Sequence, residues 1–342
     1  MKTRVPVLLL LIFAAGTLGA LPAEIAFTEP LTDIVIGPDG NLWTSGQALY
    51  RVDLSTGALT RFALPSGAGS IVVGPDGNFW LAGFSKVFKV TTSGVVTTYL
   101  LSEYVYDLTA GPDGNIWVAG FGGFYGRITM SGSVTEYTSG TDSFDSIVGA
   151  NGSLWLGSFR GDSVLRVDPV SGNAIAAIPL PVAASSWIVI AHPQGGVIAF
   201  SPRSGYWIGA DNTIHGTLGV GGEALEFDTN GRLWFARIGV FGVFDGTRLF
   251  VPPGPMKTPC GETPRFRSVA VLPDGNVVFV RTAYVGGCVV CDPHPCIDSD
   301  ALVFTNFAQL SAQAGVPDAP ISPAALAALA ILLLTVAVIR LR

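Results

Sequence analysis

The feature that most constrains this chain is a short segment that returns along it at a nearly constant interval. Residues 37–43 read Gly-Pro-Asp-Gly-Asn-Leu-Trp, and almost the same seven residues recur at 74–80 and 111–117, with four weaker copies further on. Successive turn glycines of the seven copies are 36 to 44 residues apart. A period of this size is typical of folds that repeat one supersecondary unit. The seven turn glycines are Gly40, Gly77, Gly114, Gly152, Gly195, Gly231 and Gly275.

Each copy predicts four antiparallel strands. In Pro-Asp-Gly the proline presets φ and the glycine takes the left-handed conformation, so the segment is typical of a tight hairpin turn. In the first copy a strand with Trp43 follows, then strands at 49–53 and 59–64 around a turn at 55–57. Four strands in about 40 residues is the size of a propeller blade. The sequence therefore predicts an all-β fold, a seven-bladed β-propeller over residues 24–310.

The last copy lacks one strand. After Gly275 the sequence predicts strands near 277–280 and 301–307 but no fourth. Residues 24–29, before the first copy, have the alternating pattern of the outer strands. We expect this N-terminal segment to pair into the last blade, close the ring and cover its open edge.

Both ends of the chain predict targeting segments. Lys2 and Arg4 precede an apolar run and then small residues, so residues 1–23 are typical of a secretory signal peptide. After a linker at 311–322, residues 323–342 predict a hydrophobic helix with a basic tail. Its uncharged stretch, 324–339, is slightly short against the roughly 20 residues of a membrane helix, so it predicts either a membrane anchor or a transient signal. We expect an exported protein of the cell envelope or surface.

The linker also resembles a known processing signal. A short Pro-containing motif, an apolar helix and terminal arginines together resemble bacterial C-terminal sorting signals of the exosortase type. This resemblance implies a sorting peptidase as a partner, and a plain tail anchor is the alternative. The motif residues are Val316, Pro317, Asp318, Ala319 and Pro320.

The charge of the chain argues against nucleic-acid binding, and its cysteines predict either disulfides or a zinc site. With 19 Lys+Arg against 25 Asp+Glu and no basic run, the chain lacks the positive surface that nucleic-acid binding requires. An even number of clustered cysteines in an exported protein favours two disulfides, with three possible connectivities. The alternative is a zinc site formed by a Cys-x₂-Cys pair and His294. The cysteines are Cys260, Cys288, Cys291 and Cys296.

Segments that enter the innermost strands converge on the axis of a propeller, so their residues predict the lining of its mouth. Aromatic faces beside carboxylates suit a sugar, a peptide or a cationic ligand. The rings could instead plug the channel as core, as the repeated tryptophans are expected to fill the space between blades. If they bind ligand, Tyr106→Ala and Trp187→Ala should abolish ligand retention without unfolding the ring. The candidate residues are Asp33, Tyr106, Asp107, Phe144, Asp145, Trp187, Glu223, Arg237, Arg267 and Arg281.

The repeat units, together with 125–129 and 131–137, resemble those of the virginiamycin B (streptogramin) lyase-like propellers and, more loosely, NHL repeats. The resemblance implies a C–O lyase that eliminates across an ester bond of a cyclic depsipeptide, using His and Glu residues with a bound magnesium ion. In that family a His stands eight residues before the turn Gly, and a Glu three residues after the Trp.

This chain departs from both family positions. The His position carries Thr32, Gly69, Tyr106, Phe144, Trp187, Glu223 and Arg267, and the Glu position carries Gly46, Gly83, Gly120, Ser158, Ser201, Arg237 and Arg281. We therefore predict a monomeric, non-catalytic binding module for a glycan, peptide or protein, without a metal or other cofactor. The alternative is a metal-dependent lyase or lactone hydrolase with displaced catalytic groups, such as Glu223 or the acidic residues around Asp107.

Overall fold

The computed structural model describes residues 24–140, 143–218, 222–245, 249–251, 264–282 and 300–306. These residues form seven sheets, each of four antiparallel strands in which neighbours along the chain pair with one another. The predicted seven-bladed β-propeller is therefore confirmed.

The strands follow one another around the ring. Strand β1 is Glu24–Phe27; blade 1 comprises β2 (Leu31–Ile36), β3 (Leu42–Gly46), β4 (Ala48–Val52) and β5 (Leu59–Ala63), and blade 2 comprises β6 (Ile71–Val73), β7 (Phe79–Ala82), β8 (Lys86–Val90) and β9 (Val96–Leu100). Blade 3 comprises β10 (Val105–Ala110), β11 (Ile116–Gly120), β12 (Phe124–Ile128) and β13 (Val134–Thr138); blade 4 comprises β14 (Phe144–Ala150), β15 (Ser153–Ser158), β16 (Ser163–Val167) and β17 (Ala174–Pro179); and blade 5 comprises β18 (Ile188–Ala191), β19 (Val197–Phe200), β20 (Gly205–Ile208) and β21 (Ile214–Leu218). Blade 6 comprises β22 (Ala224–Phe227), β23 (Leu233–Arg237), β24 (Val240–Phe244) and β25 (Leu249–Phe250), and blade 7 comprises β26 (Arg265–Val271), β27 (Asn276–Thr282) and β28 (Asp300–Asn306), with β1 as its outermost strand. A single 3₁₀ turn in the described residues, Phe121–Gly123, joins β11 to β12.

The repeated motif forms the turn between the first two strands of a blade. All seven turn glycines have positive φ, between 69° and 99°, which glycine adopts without the steric cost that a side chain brings. In blade 1 the amide of Gly40 donates to the carbonyl of Gly37 at 2.9 Å, and the carboxylate of Asp39 accepts a hydrogen bond from the indole of Trp43 at 2.9 Å. The motif thus couples the turn to the tryptophan that follows it.

The tryptophans fill the space between neighbouring blades, as predicted. Trp43 is fully buried in a cluster with residues of blade 2, and its ring centroid lies 4.1 Å from that of Phe79. Burial of a tryptophan ring in five of the blade interfaces contributes strongly to holding the propeller together, because aromatic side chains remove large apolar areas from water. The tryptophans of the motif, Trp43, Trp80, Trp117, Trp155 and Trp234, are all 0% exposed.

The N-terminal strand closes the ring. β1 pairs with β28 in antiparallel register, Glu24 opposite Val303 and Phe27 opposite Asp300, so the predicted closure is confirmed. The strand ends at Phe27, two residues earlier than the alternation predicted. Ile25 and Phe27 are 2% and 4% exposed and join the core shared by blades 7 and 1.

Several sequence predictions concern residues outside the described ranges. These are the signal segment 1–23, the four cysteines and His294, the linker 311–322 with Val316–Pro320, and the C-terminal segment 323–342. Among the residues that the structure describes, no helix is long and apolar enough to cross a membrane.

Candidate functional site

The inner strands of all seven blades surround a cavity of about 720 Å³ on the axis of the propeller. We call it the central channel. Six of the predicted mouth residues line it, together with further polar residues that were not among the candidates. The predicted residues are Asp33, Tyr106, Asp107, Asp145, Glu223 and Arg267, and the additional ones include Ser70, Glu226, Arg265 and Ser268.

Local irregularities of the inner strands aim several of these side chains at the channel. The register of β10 against β11 shifts at Tyr106, that of β14 against β15 at Asp145, and that of β26 against β27 at Arg267. An extra residue in one strand bends it and redirects a side chain. Tyr106 is 40% exposed and Arg267 is also exposed, so both are accessible to a ligand.

Asp33 is held by neighbours from three blades. Its carboxylate accepts hydrogen bonds from the amide of Ile71 in blade 2 at 3.0 Å and from the hydroxyl of Ser268 in blade 7 at 2.5 Å. Burial raises the pKa of Asp33, although these hydrogen bonds, together with those of Ile34 and Ser70, oppose the shift. Asp33 thus fixes the blades to one another and also contributes an acidic group to the channel.

Asp107 repeats this arrangement in blade 3. Its carboxylate accepts from the amide of Ile147 in blade 4 at 2.9 Å, and the hydroxyl of Ser70 lies within hydrogen-bonding reach. Burial, with a smaller contribution from the negative charge of Asp33, raises the pKa of Asp107 to about 6. The group therefore exchanges its proton near neutral pH.

Asp145 lies next around the ring. Its carboxylate accepts a hydrogen bond from the hydroxyl of Ser186. Burial raises the pKa of Asp145, and this hydrogen bond only partly opposes the shift. No lysine or arginine among the described residues forms an ion pair with Asp33, Asp107 or Asp145, so these carboxyls share the channel without a bound cation from the protein.

Glu226 is the channel residue that sequence reasoning missed. It lies in β22 opposite Trp234, and its side chain is open to the channel. Surrounding protein, and next the charge of Asp33, raise the pKa of Glu226 to about 7, with no hydrogen bond or cation from the described residues to offset them. The corresponding positions of the other blades carry Val35, Val72, Thr109, Val148, Ile190 and Ala270. A lone ionisable residue five positions before Gly231, where other copies carry mostly apolar ones, was the available signal.

Two arginines stand on the blade 7 side of the channel. The guanidinium of Arg265 lies 3.4 Å from the carboxylate of Glu223, and both side chains are partly exposed. Arg267 projects from the bulge of β26. The channel wall therefore combines five carboxyl groups with two guanidinium groups, and one of these is already paired.

Two aromatic residues predicted for the mouth are core instead. Phe144 is 2% exposed and packs between blades 3 and 4, and Trp187 is 0% exposed and packs between blades 4 and 5. The turn of blade 4 is one residue shorter than that of blade 3, so counting back from Gly152 reached Phe144 rather than the bulged Asp145. Both rings therefore lie in the core between blades, and neither is among the residues that line the channel, nor does either plug it as the alternative expected.

Of the two remaining arginines of the prediction, Arg281 is not part of the channel wall. Arg281 is 5% exposed, and its guanidinium binds the carboxylate of Glu24 with contacts of 2.6 and 2.9 Å. It therefore belongs to the ring closure between β27 and the N-terminal strand. Arg237 is the last residue of β23, opposite Val240, and its side chain is outside the description.

Both histidines in the described ranges lie away from the channel. His192 stacks on Trp207 with ring centroids 4.5 Å apart, and burial lowers its pKa. His215 contacts the carboxylate of Asp211 at 3.1 Å on the outer strand β21. Neither residue lines the cavity on the axis.

The residues present do not fit the magnesium ion that the resemblance implies. Of the positions that match the family's His and Glu, only Glu223 offers a carboxylate, and it is paired with Arg265. In the described part of the chain, no group of three or more His, Cys, Asp and Glu side chains is arranged to hold a metal. The channel instead places carboxyls with raised pKa values where a positively charged or hydrogen-bonding group can reach them.

Comparison with known proteins agrees with this architecture. A family model described as the virginiamycin B lyase family matches residues 24–240. A solved streptogramin B lyase is similar at 20% identity and a TM-score of 0.67, covering 75% of this chain and 93% of that one. A catalytically inactive virginiamycin B lyase from Staphylococcus aureus with quinupristin is similar at 18% identity and a TM-score of 0.67, covering 75% and 94%.

A selenomethionine-substituted virginiamycin B lyase from the same organism is similar at 18% identity and a TM-score of 0.66, covering 82% of this chain and 96% of that one. None of the curated proteins compared with the chain matches it. At these identities the similarity to solved structures concerns the fold, and chemistry has to be argued from the side chains of this chain.

Proposed function

The chain belongs to the virginiamycin B lyase family, and we propose that it is an exported binding protein whose central channel takes a positively charged group of a peptide ligand. The observation that carries the proposal is the composition of the channel wall. Asp33, Asp107, Asp145 and Glu226 face the same cavity, and none of them forms an ion pair with Arg265, Arg267 or another cation of the described residues. A cationic ligand would supply the missing counter-charge, and the ring of Tyr106 could contact the same group.

Burial of the carboxyls favours a ligand cation over water. In the present environment the pKa of Asp107 is about 6 and that of Glu226 about 7, so both are less ionised at neutral pH than a solvated carboxyl. A guanidinium or ammonium group in the channel would restore their charged forms, because an opposite charge nearby favours ionisation. Binding should therefore release protons from these two groups.

A titration of short peptides against the purified chain tests this function. We expect a peptide with one central arginine to bind, and its glutamate counterpart not to bind. Glu226→Gln should weaken binding about tenfold, as loss of roughly 1.4 kcal/mol would. Glu136→Gln, on the exposed outer strand β13, makes the same chemical change away from the channel and should leave the affinity unchanged. Equal binding of the arginine and glutamate peptides would contradict the proposal.

A lyase or hydrolase activity is the second candidate, favoured by a specific observation. Carboxyls with pKa values near the pH of the medium are suited to move protons in catalysis, and in this chain of a lyase family the pKa of Asp107 is about 6 and that of Glu226 about 7. Chromatography of quinupristin incubated with the chain tests it. A ring-opened isomer would indicate elimination, and a product heavier by one water would indicate hydrolysis. Formation of either product, lost in Glu226→Gln, would replace the binding function by the enzymatic one.

The proposal includes export and envelope attachment. It is supported by the signal-like segment 1–23 and by the apolar segment that starts after Pro323 and ends in Arg340 and Arg342. Fractionation of cells that express the full chain should place the propeller outside the cytoplasm and in the membrane fraction. Removal of residues 323–342 should release the propeller to the medium or periplasm. Replacement of Pro317 should change the processing of the chain only in cells that contain a sorting peptidase. Recovery of the full chain from the cytoplasm would contradict export.

The cysteines support a disulfide-stabilised insertion in this exported protein. Cys260, Cys288, Cys291 and Cys296 are close in sequence, which favours two disulfides in an oxidising compartment. Counting of free thiols after denaturation should find none in the exported chain. Four free thiols with bound zinc would favour the Cys/His site instead.

A further inference from the structure

A second cavity, of about 400 Å³, adjoins the central channel between blades 1, 2 and 3. We call it the side pocket. Thr32 and Tyr106 line both cavities, so the two are neighbours that share a wall. The remaining lining residues of the side pocket are Pro30, Gly46, Gln47, Gly67, Ala68, Gly69, Ala82, Phe84, Tyr104 and Val105.

Three exposed aromatic rings form the walls of the side pocket. Phe84, Tyr104 and Tyr106 are 63%, 52% and 40% exposed, and the rings of Phe84 and Tyr104 meet edge to face with centroids 6.1 Å apart. Exposed aromatic surface grouped around a cavity is typical of a binding site rather than of scattered surface residues.

The backbone holds one of these rings in a conformation that side chains rarely adopt. Phe84 has a φ of +52°, which is uncommon for a residue other than glycine. Its carbonyl accepts a hydrogen bond from the amide of Val105 in blade 3 at 2.8 Å. The loop of blade 2 is therefore fixed against blade 3 with an exposed phenyl ring. The positive φ belongs to the two-residue hairpin turn that the amide of Gly83 and the carbonyl of Lys86 close at 2.9 Å.

The floor of the side pocket is small and uncharged. It is formed by glycine and alanine residues, and their backbone groups are engaged with one another: Ala68 donates to Gly46 at 2.8 Å and Gly69 donates to Ala82 at 2.6 Å. The lining contains no carboxylate, amine, guanidinium or imidazole. Such a floor accepts a flat apolar group and offers nothing that would pair with a charge.

We infer that the side pocket binds an aromatic side chain of the same peptide whose basic group enters the central channel. The inference rests on the proposed function, because it assigns the second specificity element of that ligand. Because Thr32 and Tyr106 line both cavities, neighbouring residues of one peptide can reach both. The acidic channel then selects the charge, and the aromatic walls select the adjacent ring.

The experiment compares three fluorescent peptides, with arginine alone, with phenylalanine alone, and with arginine next to phenylalanine. We expect the combined peptide to bind about tenfold more tightly than the arginine peptide, as burial of one aromatic ring allows. The phenylalanine peptide should bind weakly, because it leaves the channel carboxyls without a partner.

Gly69→Leu fills the side pocket without disturbing the fold. The φ of Gly69 lies outside the left-handed region, and the first carbon of a side chain there would contact only the carbonyl oxygen of Ala82, at 3.7 Å. Blade 3 carries Tyr106 at the equivalent position, eight residues before its turn glycine, so the fold accepts a large residue there. The matched control is Gly216→Leu on the exposed outer strand β21, where an added carbon meets nothing within 4 Å.

The outcomes separate this inference from the proposed function. We expect Gly69→Leu to abolish the tighter binding of the combined peptide and to leave the affinity of the arginine peptide unchanged. Gly216→Leu should bind both peptides as tightly as the unchanged protein does. An arginine peptide that binds without any gain from phenylalanine, or a gain that survives Gly69→Leu, would overturn the side-pocket inference alone. A neutral oligosaccharide could instead displace the combined peptide from the unchanged protein but fail to bind Gly69→Leu. That result would overturn the inference and assign the side pocket to a sugar ring. Absence of binding by every basic peptide would overturn the proposed function itself.

Discussion

Glu226 shows how one residue can set the pH response of the molecule. Its pKa is raised from 4.5 to about 7 by the surrounding protein and by Asp33, so the folded chain takes up a proton that the unfolded chain lacks between these pH values. Stability should therefore be highest below pH 4.5 as far as this group is concerned, and should fall as the pH rises towards 7. Glu226→Gln removes the ionisable group and should make the free energy of unfolding at pH 8 higher by about 1 kcal/mol, since the solvent of the channel screens part of the effect.

Urea denaturation of both forms at pH 4.5 and pH 8 measures this difference. The two chains should be nearly equal at pH 4.5 and separate at pH 8. An equal dependence on pH in both would show that the carboxyl of Glu226 is not perturbed by the fold.

A second residue-scale prediction concerns the aspartate of the repeated turn. The carboxylate of Asp113 accepts a hydrogen bond from the buried indole of Trp117 at 3.0 Å. Asp113→Ala should lower the free energy of unfolding by about 1–3 kcal/mol, because it leaves a buried donor without a partner. Asp274→Ala is the matched control, since blade 7 has Val278 in the tryptophan position. Equal losses in chemical denaturation would mean that the turn alone, and not the indole, requires the aspartate.

Tyr106 and Trp187 are predicted from sequence to act alike, and the structure separates them. Trp187 is fully buried between blades, so Trp187→Ala should destabilise the chain by about 3–5 kcal/mol. Tyr106 is 40% exposed, so Tyr106→Ala should leave the melting temperature within a few degrees and weaken ligand binding. Calorimetric melting with peptide titration distinguishes them, and a large drop in melting temperature for Tyr106→Ala would assign it to the core.

At the scale of residues, the sequence predicts the environment of side chains that recur from copy to copy of the repeat, and it misses side chains at positions where one copy differs from the others. Burial of the repeated tryptophans follows from their recurrence, because the same position of each blade faces the next blade. Phe144 was misplaced because a turn one residue shorter shifts the count in blade 4. Glu226 interrupts a set of mostly apolar positions and depends on Asp33, a residue of another blade, for part of its raised pKa. Such cross-blade effects are set by tertiary structure.

At the scale of elements, the N-terminal strand β1 closes the ring by pairing with β28. Its Glu24 binds the buried guanidinium of Arg281, so Glu24→Ala leaves that charge without its partner and should cost about 1–3 kcal/mol of stability. Arg61→Ala, which breaks the more exposed ion pair with Glu29, should cost under about 1 kcal/mol. Guanidinium denaturation compares the two, and a loss for Arg61→Ala as large as that for Glu24→Ala would contradict a special role of the closing pair.

The strands were predictable to within about two residues at their ends, because alternation and turn chemistry are local signals. The bulges that redirect Tyr106, Asp145 and Arg267 were not, since an extra residue in one strand is visible only against its paired neighbour. Regular strand pairing therefore forms the blades, whereas bulges in the inner strands position several of the side chains that line the channel.

At the scale of the whole molecule, sevenfold repetition brings acidic groups from separate blades to one axis. Asp33, Asp107 and Glu226 belong to blades 1, 3 and 6, and the charge of Asp33 contributes to the raised pKa values of the other two. The number of blades follows from the spacing of seven motifs, but the electrostatic coupling of these groups exists only once the ring is closed. The ionisable groups that face the channel are Asp33, Asp107, Asp145, Glu223, Glu226, Arg265 and Arg267.

The central claim is that this channel takes a cation because four of its carboxyls, those of Asp33, Asp107, Asp145 and Glu226, form no ion pair with a lysine or arginine of the described residues. The most direct measurement is the affinity of the arginine peptide from pH 5 to pH 8 in buffers of constant ionic strength. We predict that binding strengthens about tenfold over this range as Asp107 and Glu226 ionise, with release of protons to the buffer. We also predict that Glu226→Gln flattens the dependence. An affinity that is independent of pH, or one that weakens as the pH rises, would contradict the account.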